Sequence, residues 1–154
     1  MKISFLNGTV KEFDTLQMQN LAFADLCGAS LAGANLSGTD LAGANMRGAD
    51  LTGADLVGAN ISRACLEGAK LDYACLKRAT LKGANLRNAT FLDANLRGVD
   101  LTFANLAGAV LKGAKLAGAD LWMADLERAE FEGADLTGAD LTGTSLDKAH
   151  NTTL

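Results

Sequence analysis

From Leu16 to Leu146 every fifth residue is large and apolar. Of these 27 positions 23 are Leu, and Met46, Ile61, Phe91 and Phe131 fill the rest. Two residues ahead of this position, from Ala24 to Ala149, 23 of 26 residues are Ala, with Thr39, Val99 and Thr144 as the exceptions. Sixteen of the 17 glycines follow the large apolar residue by two, and only Gly8 falls elsewhere. Runs such as ADLTGADLVG (Ala49 to Gly58) and ADLTGADLTG (Ala134 to Gly143) show the unit undisguised, and its register never slips.

A five-residue period suits neither common element. On an α-helix a step of five overshoots a full turn by about 140°, so the leucines would spiral over every side. On a straight strand an odd step sends alternate leucines to opposite faces. The chain must therefore turn once per repeat. Ala and Leu are two apart, which places both on one face of a short extended segment. The next two residues make the corner, and glycine at the second of them tolerates backbone angles that other residues avoid. Between Ala and Leu, pointing outward, stands Asp or Asn in 15 of 25 repeats from Asp25 to Ser145. Their short side chains hydrogen-bond nearby backbone and suit a tightly turning chain. Each repeat is then one side of a polygon, with Ala and Leu inside. Successive turns would stack about 4.8 Å apart. Burial of Leu, at roughly 1.5–3 kcal/mol each before entropy is subtracted, supplies most of the stability.

These residues resemble the pentapeptide-repeat family, whose pattern is A-[DN]-L-x-x, and the resemblance spans about residues 16–150. It implies an all-β fold, a right-handed quadrilateral parallel β-helix with four repeats per coil. On that footing the chain forms nearly seven coils and a rod roughly 30 Å long at ordinary strand spacing. Residues 1–15 break the pattern but carry Ile3, Phe5, Leu6, Val10 and Phe13, and are expected to cap the first coil. Asn151 falls at an inward position and ends the repeat, leaving a short tail at residues 151–154. The last coil, with Phe131, Leu136, Leu141 and Leu146, is expected either to pair end-to-end with a second copy or to lie under that tail.

Composition narrows the function classes. Hydrophobic residues make up 49% of the 154, yet aromatics only 5%, and proline is absent, as a narrow and regular interior requires. The net charge of −4 leaves no electrostatic footprint for direct nucleic-acid binding. No apolar run approaches the roughly 20 residues of a membrane span, and no basic start leads into an apolar stretch as in a secretory signal. Three cysteines without C-x-x-C spacing fit a reducing, cytoplasmic setting.

For catalysis a nucleophile, a base and an orienting group must converge. His150, the only histidine, stands where the repeat ends. The outward carboxylates recur because the repeat recurs. Cys65 and Cys75 share the outward position, but two repeats apart they belong on opposite sides of a four-sided rod. No catalytic, metal or cofactor site is expected, and the chain reads as a non-enzyme.

Binding then falls to the outward residues. The side centred on Leu21, Leu41 and onward to Leu141 carries Phe23, Phe103, Trp122 and Met123 together with Asp40, Asp100, Asp120 and Asp140. Phe103 and Met123 are 20 apart, so they are expected on adjacent coils with Trp122 beside them, as a candidate protein-interaction surface. Charge is uneven along the chain. Residues 16–60 carry a net −3, residues 61–97 a net +4, and residues 98–150 a net −5. The expected function is a non-catalytic structural or protein-interaction solenoid with an undetermined protein partner. The family resemblance offers an alternative, a DNA mimic that binds DNA gyrase or another topoisomerase. Against it stand the basic waist (Arg63, Lys77, Arg78, Lys82, Arg87, Arg97), an unbroken register without room for projecting loops, and no dimer module beyond Leu146. Redox sensing through the outward cysteines is a third class.

Overall fold

The computed structural model describes residues 2–4, 10–12 and 19–145. Two short strands, β1 (Lys2–Ser4) and β2 (Val10–Glu12), pair antiparallel, Ile3 opposite Lys11. They fall within the segment expected to be a cap, most of which lies outside the described residues. From residue 19 onward the chain forms no helix among the described residues and coils instead.

The coil is defined by its bridges. Each residue between Ala and Leu pairs in parallel with the residue 20 further on, from Asn20↔Asp40 through Asp120↔Asp140. Four repeats therefore complete one turn, and the solenoid has four sides. The leucine N–H donates to the next coil, as Leu31 does to Asp50 at 2.7 Å, while the Asp50 N–H donates back to Ala29 at 2.9 Å. Inside, the Ala and Leu columns form one continuous core, with Leu31, Leu51, Leu71 and Phe91 at 0% exposure. Of the irregular inward residues, Thr39 and Val99 are buried, and Thr144 donates its hydroxyl to the Leu141 carbonyl at 2.8 Å.

Each corner is a four-residue turn closed by a hydrogen bond from the next Ala N–H to the Leu carbonyl, as in Ala54 to Leu51 at 2.9 Å. The third residue of the turn has positive φ, as in a type II turn. Sixteen glycines and nine other residues occupy this place between 23 and 143, and every one has φ between 53° and 74°. The nine include Phe23, Arg63, Tyr73, Phe103 and Met123. A bulky residue held there costs of order 1 kcal/mol or more.

The outward Asp/Asn position has a job that repeat periodicity alone does not show. Of the five N–H groups in a repeat, four donate to backbone carbonyls, in the ladder or the turn. The fifth belongs to the residue just after Leu. Every described Asp or Asn at the outward position accepts that N–H through its side chain, as Asp50 does from Thr52 at 3.0 Å and Asn60 from Ser62 at 3.2 Å. At Leu92, where the outward residue is Thr90, Asp72 of the preceding coil takes the N–H instead, at 2.8 Å.

These bonds favour the ionised carboxylate. The carboxyls of Asp50, Asp135 and Asp140 are held below the usual aspartate range by hydrogen bonds from the hydroxyl and N–H of Thr52, Thr137 and Thr142. A lowered folded-state pKa contributes stability that is complete above the unfolded value and lost as pH falls through the folded one. Asp50→Ala should therefore cost about 1 kcal/mol in urea unfolding at pH 7, and Asp50→Asn, which keeps an acceptor oxygen, distinctly less. On moving from pH 7 to below pH 4 the gap between Asp50→Ala and the natural chain should narrow.

Candidate functional site

The solenoid presents four outward sides, and one is unlike the others. On the side centred on Leu21 to Leu141 the positive-φ corner holds Phe23, Arg63, Phe103 and Met123, four of the nine non-glycine residues found at such corners. Exposure of Phe23 is 83%, of Phe103 49%, of Trp122 42% and of Met123 49%. On most of the rod the corner is glycine and the surface is small or polar, so these side chains stand out from it.

The corner geometry directs them. A side chain in this conformation leans along the rod onto the same corner of the following coil. A Cβ added to Gly43 would sit 2.6 Å from Cε1 of Phe23, and one added to Gly143 would sit 2.5 Å from Sδ of Met123. Glycine at those corners makes room for the residue one coil earlier. Phe103 has no glycine after it. Its ring meets Trp122 edge to face, with centroids 4.8 Å apart and planes at 75°. The Phe103 N–H also donates to the Trp122 carbonyl at 3.0 Å. The three residues named from the sequence thus share one face, with Trp122 as the immediate partner of Phe103 and Met123 directed toward Gly143. An edge-to-face pair contributes about 0.5–1.5 kcal/mol beyond area burial.

Sequence reasoning placed Phe23 on this side but not in a site. Phe23 and Phe103 flank an open groove of about 720 Å³, whose walls and floor are Ala42, Gly43, Ser62, Arg63, Lys82 and Gly83. The Lys82 ammonium lies 6.0 Å from the centre of the Phe103 ring. The 20-residue fold of the sequence brings these positions into neighbouring columns, so the signal was present. That Arg63 and Lys82 leave the space between the two rings open emerges only in three dimensions.

The remaining candidates stay apart. Cys27, Cys65 and Cys75 are free and partly buried. Cys65 bridges to Asn45 and Asn85, and Cys75 to Asp55 and Asn95, so the two belong to different sides. Among the described residues no group of three or more His, Cys, Asp or Glu is placed to hold a metal ion. At the C-terminal end Leu136 and Leu141 are partly exposed, with Ala134 and Ala139 beside them. Phe131 is 3% exposed and packed as part of the core. Leu146, His150 and Asn151 lie outside the described residues.

Some of the surface charge is paired along the rod. Glu67 pairs with Arg47, Asp135 with Arg97 at 3.8 Å, and Glu130 and Glu132 both with Lys112, at 3.2 and 3.4 Å. Among the described residues no helix is long and apolar enough to cross a membrane.

A four-sided parallel coil with a corner every five residues and an aromatic face defines a class of repeat solenoid. The chain belongs to the pentapeptide-repeat family: the family model for pentapeptide repeats (8 copies) matches residues 20–56, 34–72, 74–113 and 109–147. Its fold is accordingly the right-handed quadrilateral β-helix of that family. Among solved structures it is similar to HetL, a pentapeptide repeat protein involved in heterocyst differentiation regulation from the cyanobacterium Nostoc sp. strain PCC 7120. Identity is 34% over 90% of this chain and 78% of that one, with a TM-score of 0.43. It is also similar to the pentapeptide repeat protein Rfr23 from the cyanobacterium Cyanothece 51142, at 32% identity over 68% of this chain and 62% of that one, with a TM-score of 0.44. QnrB1, a plasmid-mediated fluoroquinolone resistance protein, aligns at 18% identity over 86% of this chain and 79% of that one, with a TM-score of 0.35. None of the curated proteins matches the chain.

The aromatic pair can be tested by a double-mutant cycle with Phe103→Ala, Trp122→Ala and the double variant in urea. The expected coupling is about 0.5–1.5 kcal/mol. Strict additivity would mean that the two rings stand independently on the surface.

Proposed function

We propose that this chain is a non-catalytic interaction solenoid that takes a protein partner on the side carrying Phe103, Trp122 and Met123. The observation that carries this reading is that Phe103 and Met123 occupy positive-φ corners, at φ 59° and 57°, while remaining about half exposed. Backbone strain retained to hold large apolar side chains in solvent is poorly explained by folding alone. A cluster containing the chain's only Trp has the composition of an interface anchor. Continuing the 20-residue period to residue 150 gives nearly seven coils, with residues 1–15 as the N-terminal cap and 151–154 as the tail. The cytoplasm remains the proposed location.

DNA mimicry toward gyrase or another topoisomerase is the weaker reading. A duplex mimic needs a continuous run of negative potential. Here the outward cations Arg63, Lys77, Arg78, Lys82 and Arg87 stand on three of the four sides in the middle of the rod.

Capture from a lysate of the source organism should recover a protein with the natural chain and lose it with Phe103→Ser/Trp122→Ser. Equal recovery by both would assign the rings a structural role, and recovery of gyrase would select the mimic. The partly exposed Leu136 and Leu141 suggest a second contact, end-to-end pairing of two copies through the last coil. Light scattering should then give a dimeric mass that Leu141→Glu halves, whereas a monomeric natural chain removes this part of the proposal.

A further inference from the structure

The groove between Phe23 and Phe103 has a chemistry of its own. Its two cations, Arg63 and Lys82, are exposed, and neither is in an ion pair among the described residues. They share this with Lys70, Lys77, Arg78, Arg87 and Lys115, whereas Arg47, Arg97, Lys112 and Arg128 each have an acidic partner. What sets Arg63 and Lys82 apart is that they line one groove between two exposed rings. The groove lining contains no acid. Asp40 and Asp100 stand in the neighbouring column, but their carboxylates accept the N–H groups of Ala42 and Thr102, and Asp40 also the Asn60 amide. Their hydrogen bonding is directed at their own surface. The groove is thus locally cationic on a chain whose net charge is −4.

Shape adds a second constraint. The remaining lining is Ala42, Gly43, Ser62 and Gly83, all small, with the Phe23 ring leaning over Gly43 and the Arg63 side chain toward Gly83. The flanking rings are four coils apart, about 19 Å at ordinary strand spacing, which matches about six residues of extended peptide. Phe23, Arg63 and Phe103 are all held at positive-φ corners. Glycine would be the unstrained choice at those corners, so both rings and one cation of the groove are retained against a backbone cost.

We infer that this groove binds an extended acidic segment of a partner protein. Acidic side chains of the segment lie against Arg63 and Lys82, and its apolar side chains against Phe23 and Phe103. The inference rests on reading the chain as an interaction module, and it names the chemistry of the partner. A single-stranded nucleic acid would also stack on rings, but it requires a basic track along its backbone. Two cations on an acidic chain do not make one.

The test is a display selection of random octapeptides on the full chain, followed by fluorescence anisotropy with the enriched peptides and with an oligothymidylate. The enriched pool should be rich in Asp and Glu interleaved with apolar residues. Its affinity should fall at least tenfold in Arg63→Glu/Lys82→Glu and weaken with added salt. Lys77→Glu/Arg87→Glu makes the same change of net charge outside the groove and should leave affinity within about twofold. Thermal unfolding confirms that both variants are folded, since all four side chains are exposed. A pool without acidic enrichment, equal loss in both variants, or tighter binding of the oligothymidylate would overturn the inference. Peptides lost in Phe103→Ser/Trp122→Ser but insensitive to the charge reversal would overturn it while leaving the interaction module standing.

Discussion

A backbone corner that returns every five residues governs the rest of this molecule. Because the third turn residue must take positive φ, glycine is the unstrained choice there, and the next Ala and Leu are forced back toward the axis. Four such corners close a coil, which brings residue i beneath residue i+20 and lets the N–H and C=O groups of adjacent coils pair. The narrow interior follows, filled chiefly by Ala and Leu, with Met46, Ile61, Phe91 and Phe131 in a few places of the Leu column. The Asp/Asn position follows as well. The corner strands one N–H per repeat outside the ladder, and a short side-chain oxygen two residues earlier is within reach of it.

The same constraint explains why departures from glycine carry information. At a corner any other residue is strained, yet its side chain projects from a surface otherwise made of small and polar groups. Such a residue leans onto the next coil, where glycine most easily leaves space, as Gly43 does for Phe23 and Gly143 for Met123. Phe103 lacks that space and finds Trp122 instead. One side of the rod collects four of these departures and with them both the aromatic cluster and the cationic groove. Function on a solenoid of this kind is written in the exceptions to the repeat.

What the sequence determined by itself was the turning chain, the inward Ala and Leu, the outward Asp or Asn, and the glycine corner. Each follows from a strict local period and from the stereochemistry of single residues, so no distant contact was needed to read it. The shared side of Phe103, Trp122 and Met123 was legible too, once four repeats per coil had been supplied by the family resemblance. Tertiary structure decided which groups touch. That Phe103 meets the edge of Trp122, that Met123 turns toward Gly143, and that Phe23 and Phe103 bound a groove lined by Arg63 and Lys82 depend on side-chain directions across coils. Contacts 20 residues apart are fixed by the stacking of coils, and a five-residue pattern, identical on all four sides, does not say which exceptions will meet.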